Sequence, residues 1–215
     1  MNKILLFLLL LSFPLLSNAQ SREQDDTLSV TDTLPEGDMS DLLDFLGVRL
    51  YKLKISSSLP LTHPKAILIE KIEGGSVARD TISFADILAH RSQNDLYTSY
   101  PLSGLGQISK NKDGKATLKV SFNLPILKQD ATRELKVDEQ QAKDYIFFSV
   151  AHAYPKFERG VFTPLFVFIP PLYMEDGFGS YCAINYSKVP PIEWKTKFGL
   201  DNYIIYSFLF DRVEP

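Results

Sequence analysis

Apolar and polar positions change rhythm several times along this chain, and each rhythm predicts a different kind of element. Residues 4–16 are apolar except at Ser12 and Pro14, an unbroken block rather than a periodic one. Further on, Leu42, Leu43, Phe45 and Leu46 fall on neighbouring turns behind Ser40, which can cap a short helix that Gly47 ends. Two turns of helix hold only when packed against something larger. Residues 48–56 read as a strand with Val48 and Leu50 in one phase and Tyr51, Leu53 and Ile55 in the other, a slip that predicts a bulge near Tyr51. Residues 66–73 are a second strand candidate, stopped by Gly74-Gly75.

The best helical signal past residue 20 lies at 83–90, where Ser83 can cap the first turn and Phe84, Ile87 and Leu88 share a face. Residues 91–107 show no period and read as a long loop. From Ile108 onward the pattern is almost wholly β. Asn111-Lys112-Asp113-Gly114 signals a turn, and Ala116, Leu118, Val120 and Phe122 alternate behind it as a half-buried strand does. Residues 136–143 are polar, a helical turn or a loop. Strands are then expected at 145–154, 161–169, 179–187 and 203–210, the first and last apolar on both faces and so suited to cover on both sides. No repeat of fixed period is present. The expected fold is mainly β, an antiparallel β-sandwich or a partly closed barrel carrying one or two short helices. Prolines within the strands argue against an outer-membrane barrel.

Aromatic residues locate the core within this pattern. Outside the first nineteen residues there are 24 Phe, Tyr and Trp, of which 18 fall between Tyr145 and Phe210. Large rings supply most of the area a core buries, so the last third is expected to hold the centre of the fold.

The apolar block at the start has its own meaning. Lys3 precedes it, and Ser17-Asn18-Ala19 follows with small residues bracketing Asn18, the arrangement a signal peptidase needs to cut between Ala19 and Gln20. Its thirteen apolar-core residues fall short of the about 20 a membrane-crossing helix requires. Residues 1–19 are therefore expected to be a signal peptide, 20–39 an acidic disordered leader and 40–215 a single β-rich domain. A lipoprotein needs a cysteine after the cut, and Gln20 stands there. The expected address is the periplasm or the exterior of a bacterial cell, with no transmembrane segment after signal removal.

Charge adds a local asymmetry. Residues 20–44 hold eight acids against Arg22 alone, whereas 45–215 carry 21 bases and 18 acids. A nearly neutral body without a dense basic stripe argues against nucleic acid as a partner. Cys182 is the only cysteine, so no intrachain disulfide is available and stability must come from packing. The sequon Asn185-Tyr186-Ser187 lies inside an expected strand.

Candidate chemistry is sparse. A nucleophilic site would need Cys182 or a serine beside His63, His90 or His152, and no cysteine-protease signature or Gly-x-Ser-x-Gly elbow is present. The three histidines lack zinc spacing. Asn111 opens a calcium-like loop, but Phe122 occupies the position that requires an acid. Glu175 and Asp176 sit at an expected hairpin tip, where neighbouring side chains diverge. Gly104-Leu105-Gly106 lacks the strand-then-helix context of a phosphate loop. Neither cofactor nor metal is expected.

Binding by surfaces remains. Tyr97, Tyr100 and Trp194 fall in expected loops, and exposed rings there would stack on a glycan or anchor a protein partner. The alternative is that these rings plug the ends of the sandwich. The expected role is a non-enzymatic binding or envelope-associated module. Two rivals are a hydrolase using His152 with Cys182 or Glu175 in a cleft, and a structural subunit of an envelope complex.

Overall fold

A computed structural model describes residues 27–86, 96–110, 116–135, 137, 144–173, 179–181, 184 and 187–211. The expected signal peptide with its Ala19/Gln20 junction, the 111–114 turn, His90, Glu175, Asp176, Cys182 and Asn185 lie outside them.

Two antiparallel sheets pack face to face as a β-sandwich, and they do not close into a barrel. The first joins β10 (Lys156–Glu158), β1 (Thr27–Thr33), β2 (Val48–Leu61), β5 (Tyr97–Lys110), β6 (Ala116–Leu124) and β7 (Leu127–Asp130) in that order, with β8 (Arg133–Leu135) also on β6. The second runs β4 (Ser76–Ser83), β3 (Pro64–Glu73), β14 (Asn202–Phe210), β11 (Phe162–Ile169) and β9 (Ile146–Ser149). A small hairpin, β12 (Leu172–Tyr173) with β13 (Gly179–Ser180), stands apart.

The alternation read at Leu118, Val120 and Phe122 is the inward face of β6, all three buried. Between the sheets these side chains meet Phe147, Phe166, Tyr206 and Phe208, and Phe122 stands 5.1–6.4 Å from each ring. A second apolar layer covers the opposite face of the second sheet. There Val167, Ile169, Tyr203 and Ile205 pack under Trp194, Leu200 and Ile184. Strand β14 is thus covered on both sides, as its pattern predicted, with Ile204, Tyr206 and Phe208 in one core and Tyr203 and Ile205 in the other.

Several expectations change. The leader is not free throughout: Thr27–Thr33 is β1, paired with both β2 and β10, because Leu28 and Val30 offer two core positions among polar neighbours. The expected loop at 91–107 gives way from Tyr97 onward to β5, paired with both β2 and β6. Its glycines face rings from the other sheet: a Cβ on Gly106 would meet Phe147 Cβ at 2.6 Å and Cγ at 2.5 Å. Strand β4 carries exposed residues along nearly its whole length, so no apolar phase announced it.

β2 pairs regularly with β5 through Tyr51, and its irregularity falls later, between Ser56 and Leu61. The carbonyls released there are caught by Arg159, a buried guanidinium whose Nη1 donates to Pro60 O (2.9 Å) and Asp211 O (3.5 Å). Its Nη2 donates to Ser57 Oγ (2.8 Å) and Leu59 O (3.0 Å). Of the strand expected at 145–154 only Ile146–Ser149 forms, and Ala151–Ala153 turns into a 3-10 helix whose first amide donates to Ser149 Oγ at 3.1 Å. At 83–90, Ser83 Oγ accepts from the Ala85 amide at 3.2 Å and Phe84 is buried, while 87–90 fall outside the described residues.

Helix α1 (Asp38–Phe45) departs most from expectation. It starts at Gly37 rather than Ser40, and none of its residues is buried. Phe45 is 87% exposed and Leu42 52%, so most of its apolar side is left uncovered by the described residues, with Leu43 half-buried.

Candidate functional site

Two of the three rings singled out in the sequence are buried. Tyr100 is 0% exposed: its ring stands edge-on to Phe210 at 5.7 Å, and its hydroxyl lies 2.9 Å from His63 Nδ1. Burial pushes the Tyr100 hydroxyl far above the ordinary phenol range. Tyr97, half-buried, packs against the same histidine and tyrosine at 5.2 Å each. Trp194 is 2% exposed, at the start of α2 (Trp194–Phe198), and its indole N–H donates to Val189 O at 2.8 Å. Tyr203 locks the same plug, donating to Pro191 O at 2.9 Å. Tyr100 and Trp194 are therefore buried within the sandwich, as in the alternative reading of these rings, while Tyr97 stays partly exposed beside them.

A cleft of about 510 Å³ lies elsewhere, where the end of the first sheet meets β9, the edge strand of the second. On β1 the inward phase Leu28, Val30 continues to Asp32, which has passed the end of the core and lines the cleft with Thr33, Leu34 and Glu36. Tyr51 of β2 forms another wall, its ring edge-on to Phe147 at 6.2 Å. Phe148, Ser149 and His152 contribute from β9 and the turn after it, and Tyr181 completes the lining.

The side chains in this cleft are held in place. Tyr181 donates to Asp144 O, and Tyr173 donates to Asp144 Oδ2 at 2.7 Å. Burial, with Asp144 and Tyr173 adding to it against Arg49, pushes the Tyr181 hydroxyl up to about 12. Tyr51 is raised too, first by burial, with Asp32 and Asp44 adding to it and Arg49 opposing. Both phenols therefore stay protonated near neutral pH, as hydrogen-bonding groups rather than bases. Ser149 is buried and its oxygen is committed to the Ala151 amide. His152 is brought to the cleft, but the Cys182 and Glu175 expected beside it lie outside the described residues.

What the cleft offers is two carboxylates, Asp32 and Glu36, beside the rings of Tyr51 and Tyr181. That combination suits a cationic side chain, which gains from carboxylates and from ring faces alike. Among the described residues no group of three or more His, Cys, Asp and Glu is arranged to hold a metal ion. None of their helices is long and apolar enough to cross a membrane.

The missed part of this surface is α1, which follows directly from Leu34 and Glu36. Met39, Leu42, Phe45 and Leu46 are all more than half exposed, beside Leu34 at 61%. Asp38 and Asp41 flank them without an ion pair among the described residues, and Asp44 is bonded to Arg49. The helical spacing was legible, but its failure to pack was not, because burial depends on what the rest of the chain brings near. No family model, curated protein or solved structure matches this chain.

Proposed function

We propose that this is an exported, non-enzymatic module that binds another protein through α1 and the adjoining cleft. The observation that carries the reading is a helix of eight residues with none buried. So short a helix gains little from its own hydrogen bonds and ordinarily depends on packing. Here its apolar side is presented outward, as a surface that a partner completes.

Charge identifies the kind of partner. Five acids, Asp32, Glu36, Asp38, Asp41 and Asp44, surround the apolar residues, with Arg49 the cation bonded into the group. Lys52 and Lys54 project from the opposite side of the first sheet, since Leu53 and Ile55 between them point into the core. The favoured ligand is a protein segment with apolar side chains flanked by Lys or Arg, its cation entering beside Tyr51 and Tyr181. Export rests on the Lys3 to Ala19 pattern.

Fluorescence anisotropy with two labelled amphipathic peptides, alike except for lysine or glutamate flanks, tests this. The lysine peptide is expected to bind and the glutamate peptide not. Phe45→Ser should weaken binding by about 30-fold, as for a central hydrophobic anchor, and Asp38→Lys with Asp41→Lys should reverse the preference. Equal binding of both peptides, or affinity untouched by these changes, overturns the reading. Binding of glycans instead, abolished by changes at Tyr51 and Tyr181 alone, would also overturn it.

A further inference from the structure

The cation expected to enter the cleft has a counterpart within the chain itself. Arg49 and Tyr51 lie two residues apart on β2 and project from the same face, the one that carries Leu53 and Ile55 into the core. Gly106 and Gly104 stand directly across from them on β5, so no side chain of that strand braces either one. The Arg49 guanidinium reaches the last turn of α1, where Nη1 donates to Asp44 Oδ1.

The same charge acts on the walls of the cleft. Burial raises the hydroxyls of Tyr51 and Tyr181, and Arg49 opposes that rise at both. Arg49 thus serves a carboxylate of α1 and two phenols of the cleft at once, the surroundings proposed for a partner's cation. Its bond to Asp44 is weak, because the two side chains are 49% and 53% exposed and water screens such a pair. The helix is otherwise lightly tied. None of its residues is buried, Gly37 and Gly47 flank it with φ of 60° and 62°, and Gln107 Nε2 donates to Leu46 O at 3.2 Å just past its end.

We infer that Arg49 is a built-in competitor for the partner's cation: in the free protein it occupies Asp44, and a lysine or arginine of the bound segment displaces it. This role rests on the reading of α1 and the cleft as a protein-binding surface. A partner without a cation leaves Arg49 in place and gains nothing from Asp44, so the pair favours basic segments over merely apolar ones.

The test is fluorescence anisotropy of the labelled lysine-flanked peptide with the whole protein and its variants. Arg49→Gln frees Asp44 and should tighten binding about fivefold, whereas Asp44→Asn removes the acceptor, leaves Arg49 facing the ligand and should weaken binding about fivefold. The double variant should lie near the parent. Lys52→Gln, an equal loss of charge on the opposite face of the sheet, should leave affinity unchanged. Binding that appears only in Arg49→Gln supports competition in its strongest form. If the pair merely positions α1, Arg49→Gln and Asp44→Asn weaken binding alike, and that result overturns the inference. So does unchanged affinity in Arg49→Gln, or an equal gain in Lys52→Gln, while the parent still binds the peptide. Absence of binding in the parent and in every variant overturns the reading of the surface itself, and the role of Arg49 with it.

Discussion

Gly106→Ala is expected to destabilise the protein by about 3 kcal/mol, although it adds one methyl group to a strand. The new Cβ would stand 2.6 Å from Phe147 Cβ and 2.5 Å from its Cγ. The Cβ of Phe147 is set by the β9 backbone, and no rotation of the side chain moves it away. Relief requires the two sheets to separate where Phe147 and Phe166 stack with centroids 5.4 Å apart. Lower freedom in the unfolded chain offsets only about 0.5 kcal/mol. For a chain of this size the melting temperature should fall by about 6–12 °C, read by calorimetry or by a urea midpoint. Gly104→Ala should cost less, about 1–2 kcal/mol, because its clashes are with ring atoms, Phe166 Cε1 at 2.7 Å and Phe147 Cζ at 3.0 Å. Phe147→Leu should not rescue Gly106→Ala, since the offending Cβ and Cγ remain. A Gly106→Ala protein within about 0.5 kcal/mol of the parent, the range of a neutral surface change, would refute the account of β5.

Arg159→Ala should cost at least as much. Four oxygens, those of Pro60, Leu59 and Asp211 in the backbone and Ser57 in a side chain, lose a donor together. Each buried group left unsatisfied costs about 1–3 kcal/mol. The informative comparison is Arg159→Lys, which keeps the charge. A single ammonium cannot reach oxygens spread across the planar fork, so it should recover less than half of the loss in a denaturation midpoint. Full recovery by lysine would mean that charge, rather than the fork of donors holding residues 57–60, is what matters.

The elements that local pattern revealed are those whose faces differ strongly in polarity. Strand β6 alternates because one side meets the core and the other does not, and β14 is apolar on both sides because it lies between two cores. Strand β5 was illegible for a physical reason. Its serines, glycines and proline carry little strand preference, and its glycines are required by Phe147 and Phe166, residues more than forty positions away. Distance along the chain also hid Arg159 as a buried residue, because Ser57, Leu59 and Pro60 lie 99–102 positions earlier and Asp211 lies 52 later. For the candidate site, the helix at Leu42, Phe45 and Leu46 was recognisable from spacing. Its exposure, and its position beside Asp32, Tyr51 and Tyr181, were not.

Tyr100 and Trp194 illustrate the limit from the other side. A ring in a Ser-, Gly- or Pro-rich segment looks the same in sequence whether it projects into solvent or plugs a core, because its neighbours along the chain are not the atoms that bury it. By itself the amino-acid order determined that the chain is mainly β, where its aromatic mass lies and that the stretch around Leu42 to Phe45 turns helical, since each depends on contacts within a few residues or on the period of one face. Only the tertiary structure decided which rings are buried, which glycines admit no side chain and which hydroxyls and carboxylates share a pocket. Those outcomes depend on strands brought together from distant parts of the chain, and local spacing contains no record of that meeting.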